Sequence, residues 1–121
     1  MKNAEHDLSE RLLDFAATLV KWIVRLNKTA VGRHISGQLM RSATSSGANY
    51  EEACGAESRA DFIHKLQIVL KEVRETRYWL RLLKKIDLVP EADPKLSQLL
   101  KEAGELSNIM AQSIITAKQN K

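Results

Sequence analysis

Cysteine occurs once in the 121 residues, as Cys54. An internal disulfide is therefore excluded, and a reducing cytoplasm is the expected setting. Two prolines and five glycines leave few places where a helix can be broken. The opening MKNAEHDLSE lacks the apolar run of a secretory signal. No charge-free run reaches the ~20 apolar residues of a spanning helix. The longest, Leu106 to Ala117, is interrupted by Ser107, Asn108, Gln112 and Ser113. A membrane protein is not expected. Strand-like alternation is absent as well.

Chemistry is equally sparse. His6, His34 and His64 lie on separate segments. The di-iron pattern needs Glu-x-x-His on two helices, and Glu72 is followed three positions on by Glu75 instead. Ser42, Ser45 and Ser46 sit on a helical pattern without a nucleophile elbow. Cys54 has no base beside it in sequence, and no glycine-rich phosphate loop occurs. The chain reads as a non-enzyme with no cofactor and no metal.

What remains is helix. Hydrophobic residues make up 44% and charged residues 28%, ordinary for one helical domain spanning residues 1–121. The periodicity predicts four helices, over about 8–27, 31–54, 59–86 and 94–117. The first carries Leu8, Leu12, Phe15, Leu19, Ile23 and Leu26, with Asp7 as its expected cap. Leu13, Ala16, Val20 and Val24 widen that stripe and imply more than one neighbour. Thr29 is the expected cap of the second helix and Gly55 its stop. The third opens on Ser58 and carries Phe62, Leu66, Val69, Val73, Thr76, Leu80 and Leu83 at strict 4-3 spacing. Asp93 followed by Pro94 starts the fourth, which carries Leu96, Leu99, Ala103, Leu106, Met110, Ile114 and Ala117. The tail from Lys118 is expected to fray. Four long helices with short connections make an all-α, antiparallel up-down-up-down four-helix bundle.

The stretch Gln38–Phe62 departs from this regularity. Gln38, Ser42, Ser45, Asn49 and Glu52 recur at spacings of 4, 3, 4 and 3, so polar groups share one helix face. Ala43, Ser46, Gly47, Ala48 and Ala53 crowd beside them. Gly47 costs about 1 kcal/mol in a helix interior, which close approach of another backbone would explain. The face is either a recognition surface or a buried network bonded to neighbouring helices. The flanking small residues favour the network: Gln38, Arg41, Ser42, Asn49 and Glu52, with Glu75 of the third helix as a partner for Arg41.

Charge is concentrated elsewhere. Residues 71–85 hold Lys71, Arg74, Arg77, Arg81, Lys84 and Lys85 against Glu72 and Glu75, a surplus equal to the +4 of the whole chain. Arg74, Arg77, Arg81 and Lys84 share a face, Lys85 is close by, and Tyr78 and Trp79 are interleaved. The stripe is either a phosphate-binding surface with an aromatic for stacking, or a solvated face near a helix C-terminus. Repetition around an oligomer would favour nucleic-acid binding, and the surplus apolar positions of the first and third helices suggest such an oligomer.

The run from Gln38 through Leu80 resembles the 23S rRNA intervening-sequence protein (S23) family. The matching residues are Gln38, Arg41, Ser42, Ser45 or Ser46, Asn49 and Glu52, then Phe62, then Glu75 before a leucine-rich end. The usual Asn-Ile-Ala-Glu-Gly is replaced here by Asn49-Tyr50-Glu51-Glu52-Ala53, with Gly55 displaced. The resemblance implies a bacterial, cytoplasmic, homopentameric four-helix bundle without enzymatic activity. Nucleic acid, RNA in particular, is then the natural partner, through Arg74, Arg77, Arg81, Lys84 and Lys85. The alternative is a scaffold or accessory subunit that meets a protein partner and no nucleic acid.

Overall fold

In the computed structural model, residues 4–90 and 92–120 are described, with side chains from Asp7 onward. Four helices follow in order: α1 (Ala4–Ile23), α2 (Ala30–Cys54), α3 (Arg59–Lys85) and α4 (Pro94–Gln119). There is no strand among the described residues.

The helix boundaries follow from local chemistry, with three departures from expectation. Asp7 does not cap α1, which is already helical from Ala4. No glycine or proline lies between them to delay the start, and Asp7 instead adds negative charge near the N-terminal dipole. The helix also tightens into a 3-10 turn at Val24–Leu26 before Asn27. At the other end α4 does not fray from Lys118 but continues through Gln119, with the Asn120 N–H bonded to the Thr116 carbonyl. The remaining caps are side-chain oxygens accepting free backbone N–H groups. Thr29 accepts from Gly32 at 2.9 Å, Ser58 from Asp61 at 3.1 Å and Asp93 from Lys95 at 2.8 Å.

The apolar seams meet in one core. Leu12 and Leu19 of α1, Leu39 and Ala43 of α2, Val69, Val73 and Leu80 of α3, and Leu106 and Met110 of α4 are fully buried. Each fully buried leucine is worth about 1.5–3 kcal/mol of transfer free energy, so this seam dominates cohesion. The added width of the α1 stripe is used only in part. Ala16 is buried, but Leu13 is 60% and Val24 65% exposed. Trp22, absent from the expected stripe, is buried and completes a 3-4 seam with Leu12, Phe15, Leu19 and Leu26.

Side-chain contacts tie α1 to α2, α2 to α3 and α1 to α4, most of them between the start of one helix and the end of the other. Near one end Ser9 bonds Glu51, and near the other Ser36 bonds Asn27 at 3.0 Å. Lys65 meets Glu52 at 2.6 Å, while Trp79 packs edge-on against His34 with ring centroids 5.9 Å apart. Arg11 reaches Glu102, and Arg25 reaches Asp93, both at 2.7 Å. The α3 helix, 27 residues and about 40 Å long at 1.5 Å per residue, packs against both α2 and α4.

Candidate nucleic-acid interface

The C-terminal half of α3 presents Arg74, Arg77, Arg81, Lys84 and Lys85, all exposed. Among the described residues, none of the five forms an ion pair or side-chain hydrogen bond. The seam of Leu66, Val69, Val73, Leu80 and Leu83 fixes this orientation, because burying it turns the cationic positions outward. Arg77 lies toward α4: a Cβ placed on Gly104 would sit 3.8 Å from its Nε. Lys84 borders a small recess with Asp87, Val89, Leu96 and Ser97.

The stripe has no partner on its own helix because Glu72 and Glu75, the carboxylates in the same stretch of α3, are occupied on the opposite side, against α2. Arg41 bridges both of them. Its Nη1 lies 3.3 Å from Glu72 Oε1, and its Nη2 donates to Glu75. Ser45 Oγ donates to Glu72 Oε2 at 3.0 Å, and Trp79 Nε1 to Glu75 Oε2 at 3.1 Å. The donated bonds from Arg41 and then Trp79 hold the Glu75 carboxyl below its ordinary range. Donating that bond to Glu75 raises the pKa of the Arg41 guanidinium in turn.

The remaining members of the polar face divide between interior and surface. Ser42 is fully buried, and its Oγ lies 2.7 Å from Thr76 Oγ1 across the α2–α3 seam. Gln38 is half-buried and accepts from Arg41 Nε at 3.3 Å. Asn49 is half-buried too, but its amide donates within its own helix, to the Ser45 carbonyl at 2.9 Å and to Ser45 Oγ at 3.0 Å. Glu52 is exposed and pairs with Lys65. The face thus becomes less buried from Ser42 toward Glu52, as α2 runs out to its end.

Two polar anchors are not visible in the polar stripes. Arg11 of α1 grips Glu102 through two bonds of 2.7 Å, and Glu105 at 2.8 Å. The hydrogen bond to Glu102 raises the Arg11 pKa further above its ordinary value. Asp93 accepts from Trp22 Nε1 at 3.2 Å and Arg25 Nη1 at 2.7 Å. Sequence spacing carried part of this signal, since Trp22 falls three positions after Leu19 and four before Leu26.

Among the described residues no group of three His, Cys, Asp or Glu side chains could hold a metal. The side chain of His6 lies outside the described residues; His34 and His64 are exposed on different helices. A cleft of about 610 Å³ is lined by all four helices, with Leu8 from α1, Tyr50 from α2, Phe62 and Leu66 from α3 and Ile109 from α4. Among the described residues no helix is long and apolar enough to cross a membrane.

Fold and site together define a helical protein with a cationic helix face, unpaired among the described residues, and a cross-helix polar network behind it. The family model of the 23S rRNA-intervening sequence protein matches residues 7–112. The chain belongs to that family. It is also similar to a solved structure from Bacteroides thetaiotaomicron, described as a protein with unknown function from the S23 ribosomal protein family. The two are 34% identical, with a TM-score of 0.81, over 91% of this chain and 96% of the other. No curated protein matches the chain.

Proposed function

We propose that this chain is a non-enzymatic RNA-binding protein that contacts phosphates through Arg74, Arg77, Arg81, Lys84 and Lys85. The observation that carries the reading is the division of charge on α3. Glu72 and Glu75 are spent on Arg41, and five exposed cations have no intramolecular partner among the described residues. Unneutralised cations on one rigid face release counterions from a phosphate backbone, a favourable term that needs no base recognition. The family description, which refers to an insert in 23S rRNA, supports RNA over other polyanions.

The paired end-to-end contacts support an antiparallel up-down-up-down bundle forming one domain. Exposed Leu13, Val24 and Ile115 support self-association, for which a homopentamer in the cytoplasm is the proposed form. Five stripes on one particle would add their phosphate contacts. The same exposed apolar residues favour the second reading, a scaffold that docks a protein partner.

Binding of an unstructured RNA oligomer by the full chain, followed by fluorescence anisotropy across a salt series, tests the proposal. Affinity should fall steeply, with a log–log slope growing by about 0.7 for each phosphate neutralised. Arg77→Glu with Arg81→Glu should weaken binding to all sequences alike. Absent or salt-insensitive binding overturns the reading, and a partner protein recovered after nuclease treatment supports the scaffold instead. Native mass spectrometry checks for five copies of the 13.7 kDa chain.

A further inference from the structure

The cationic face is not uniformly basic: a tyrosine stands at its centre. Lys71, Arg74, Tyr78, Arg81 and Lys85 follow at spacings of 3, 4, 3 and 4, which aligns them along one line of α3. That line is about 21 Å long at 1.5 Å per residue. Two cations precede the ring and two follow it. Tyr78 is 56% exposed, although a ring of this size ordinarily seeks burial. Its hydroxyl makes no hydrogen bond among the described residues.

The neighbouring ring is committed elsewhere. Trp79 is half-buried, donates its indole N–H to Glu75 and packs edge-on against His34. Tyr78 meets Trp79 edge-to-face, with centroids 5.3 Å apart and planes at 75°. Trp79 therefore braces the tyrosine from the α2 side. The two rings adjacent in sequence have different duties, which periodicity alone does not separate.

We propose that Tyr78 is a base-stacking platform, so that this face takes unpaired nucleotides and not merely a line of phosphates. The inference rests on the RNA-binding reading above. Cations on both sides of the ring hold the backbone of a strand, and a base turned toward the protein stacks on the exposed ring. A paired base offers no free face for this contact. Stacking is tolerant of base identity, so the site selects strand state and not sequence.

The test compares two probes on the full chain: an oligouridylate of about a dozen nucleotides and an abasic strand with the same number of phosphates. The intact protein should bind the oligouridylate roughly tenfold more tightly, the usual worth of one base–aromatic stack. Tyr78→Ala should remove that difference and leave abasic-strand affinity within about twofold, since phosphate contacts are untouched. Tyr78→Phe should keep the preference, because the ring and not the hydroxyl does the stacking. Unchanged circular dichroism and native mass establish that the variants retain the assembly. Equal binding of both probes by the intact protein overturns this inference and leaves the phosphate reading standing. A preference that survives Tyr78→Ala also overturns it. Binding of neither probe overturns both.

Discussion

Trp22 and Asp93 are joined by a hydrogen bond of 3.2 Å although they lie 71 positions apart in the chain. The carboxylate has three duties at once. Oδ1 caps α4 through the Lys95 N–H at 2.8 Å, while Oδ2 serves the buried Trp22 indole and Arg25. Asp93 thus fastens the start of α4 to the end of α1. Loss of the cap costs about 1 kcal/mol. Leaving a buried indole N–H unpaired costs about 1–3 kcal/mol more. Asp93→Ala should therefore lower stability by about 2–4 kcal/mol in urea unfolding, whereas Asp93→Asn, whose single amide oxygen can keep the Lys95 cap but then sets an NH2 against the Trp22 indole, should cost about 1–3 kcal/mol. The Arg25 pair contributes little, because that side chain is 55% exposed. A cost below about 0.5 kcal/mol for Asp93→Ala would show that the anchor is dispensable.

Acid should loosen the bundle through two carboxylates. Burial pushes the Asp93 pKa up, but the Lys95 N–H, the Trp22 indole and the Arg25 charge outweigh it and leave the group below its ordinary value. Glu75 is held low by Arg41 and Trp79. A carboxylate whose folded pKa is depressed gives stability that is present above its unfolded value, about 3.9 for Asp and 4.3 for Glu. That contribution disappears as pH falls through the folded value. Urea midpoints should accordingly be flat from about pH 5 to 7 and drop below about pH 4. Arg11, Arg41 and Lys65 have raised pKa values, so their contributions are fully present throughout this window. The double variant Asp93→Asn with Glu75→Gln should have a shallower acid limb; an unchanged limb would assign acid sensitivity to other carboxylates.

The buried hydroxyl pair of Ser42 and Thr76 should couple energetically. The two oxygens are 2.7 Å apart, and Thr76 also donates toward the Glu72 carbonyl at 2.9 Å. Ser42→Ala removes one partner from a dry seam and should cost about 1 kcal/mol. Adding Thr76→Val removes the second hydroxyl while keeping its shape, so the double variant should be hardly worse than the single. The cycle should give a coupling of about 0.5–1.5 kcal/mol. Strict additivity would mean that the pair shares no interaction worth measuring.

How far the sequence discloses this molecule depends on how local each signal is. The caps at Thr29, Ser58 and Asp93 are read from side chains within three positions of the N–H groups they satisfy. The seams of α3 and α4 follow from 3-4 spacing alone. Trp22 escapes that reading because Ile23, beside it, suits an apolar stripe equally well, and both are buried. The partners of Asp93, Glu72 and Arg11 escape because they are set by packing between helices, which periodicity does not specify. The same limit applies to the candidate interface. Sequence places the five cations on one face, but that Glu72 and Glu75 turn toward Arg41, leaving the cations without a partner among the described residues, is a property of the assembled α2–α3 pair.

Two glycines of α2, Gly32 in its first turn and Gly47 in its interior, should respond oppositely to alanine. A Cβ at Gly32 would lie 1.9 Å from the Leu26 carbonyl oxygen and 2.9 Å from its carbon. Both atoms are backbone, so the start of α2 would have to move away from the end of α1. Gly47 is also set against α1 backbone, at Leu12, as the cost of a mid-helix glycine led one to expect. The approach is looser than that cost requires, however: a Cβ there would find Leu12 atoms at 3.9–4.0 Å, ordinary van der Waals contact. Gly47→Ala should therefore recover helix propensity and gain up to about 1 kcal/mol. Gly32→Ala should lose about 1–3 kcal/mol through overpacking, since in the first turn it has less interior propensity to recover. Gly37, where a Cβ meets nothing within 4 Å, supplies the reference for propensity alone. Thermal and urea unfolding of the three variants should rank Gly37→Ala and Gly47→Ala together above the parent, and Gly32→Ala below it. If Gly47→Ala instead falls below the parent, the α1–α2 contact at Leu12 is tight enough to require glycine after all, and close backbone approach accounts for its presence in mid-helix.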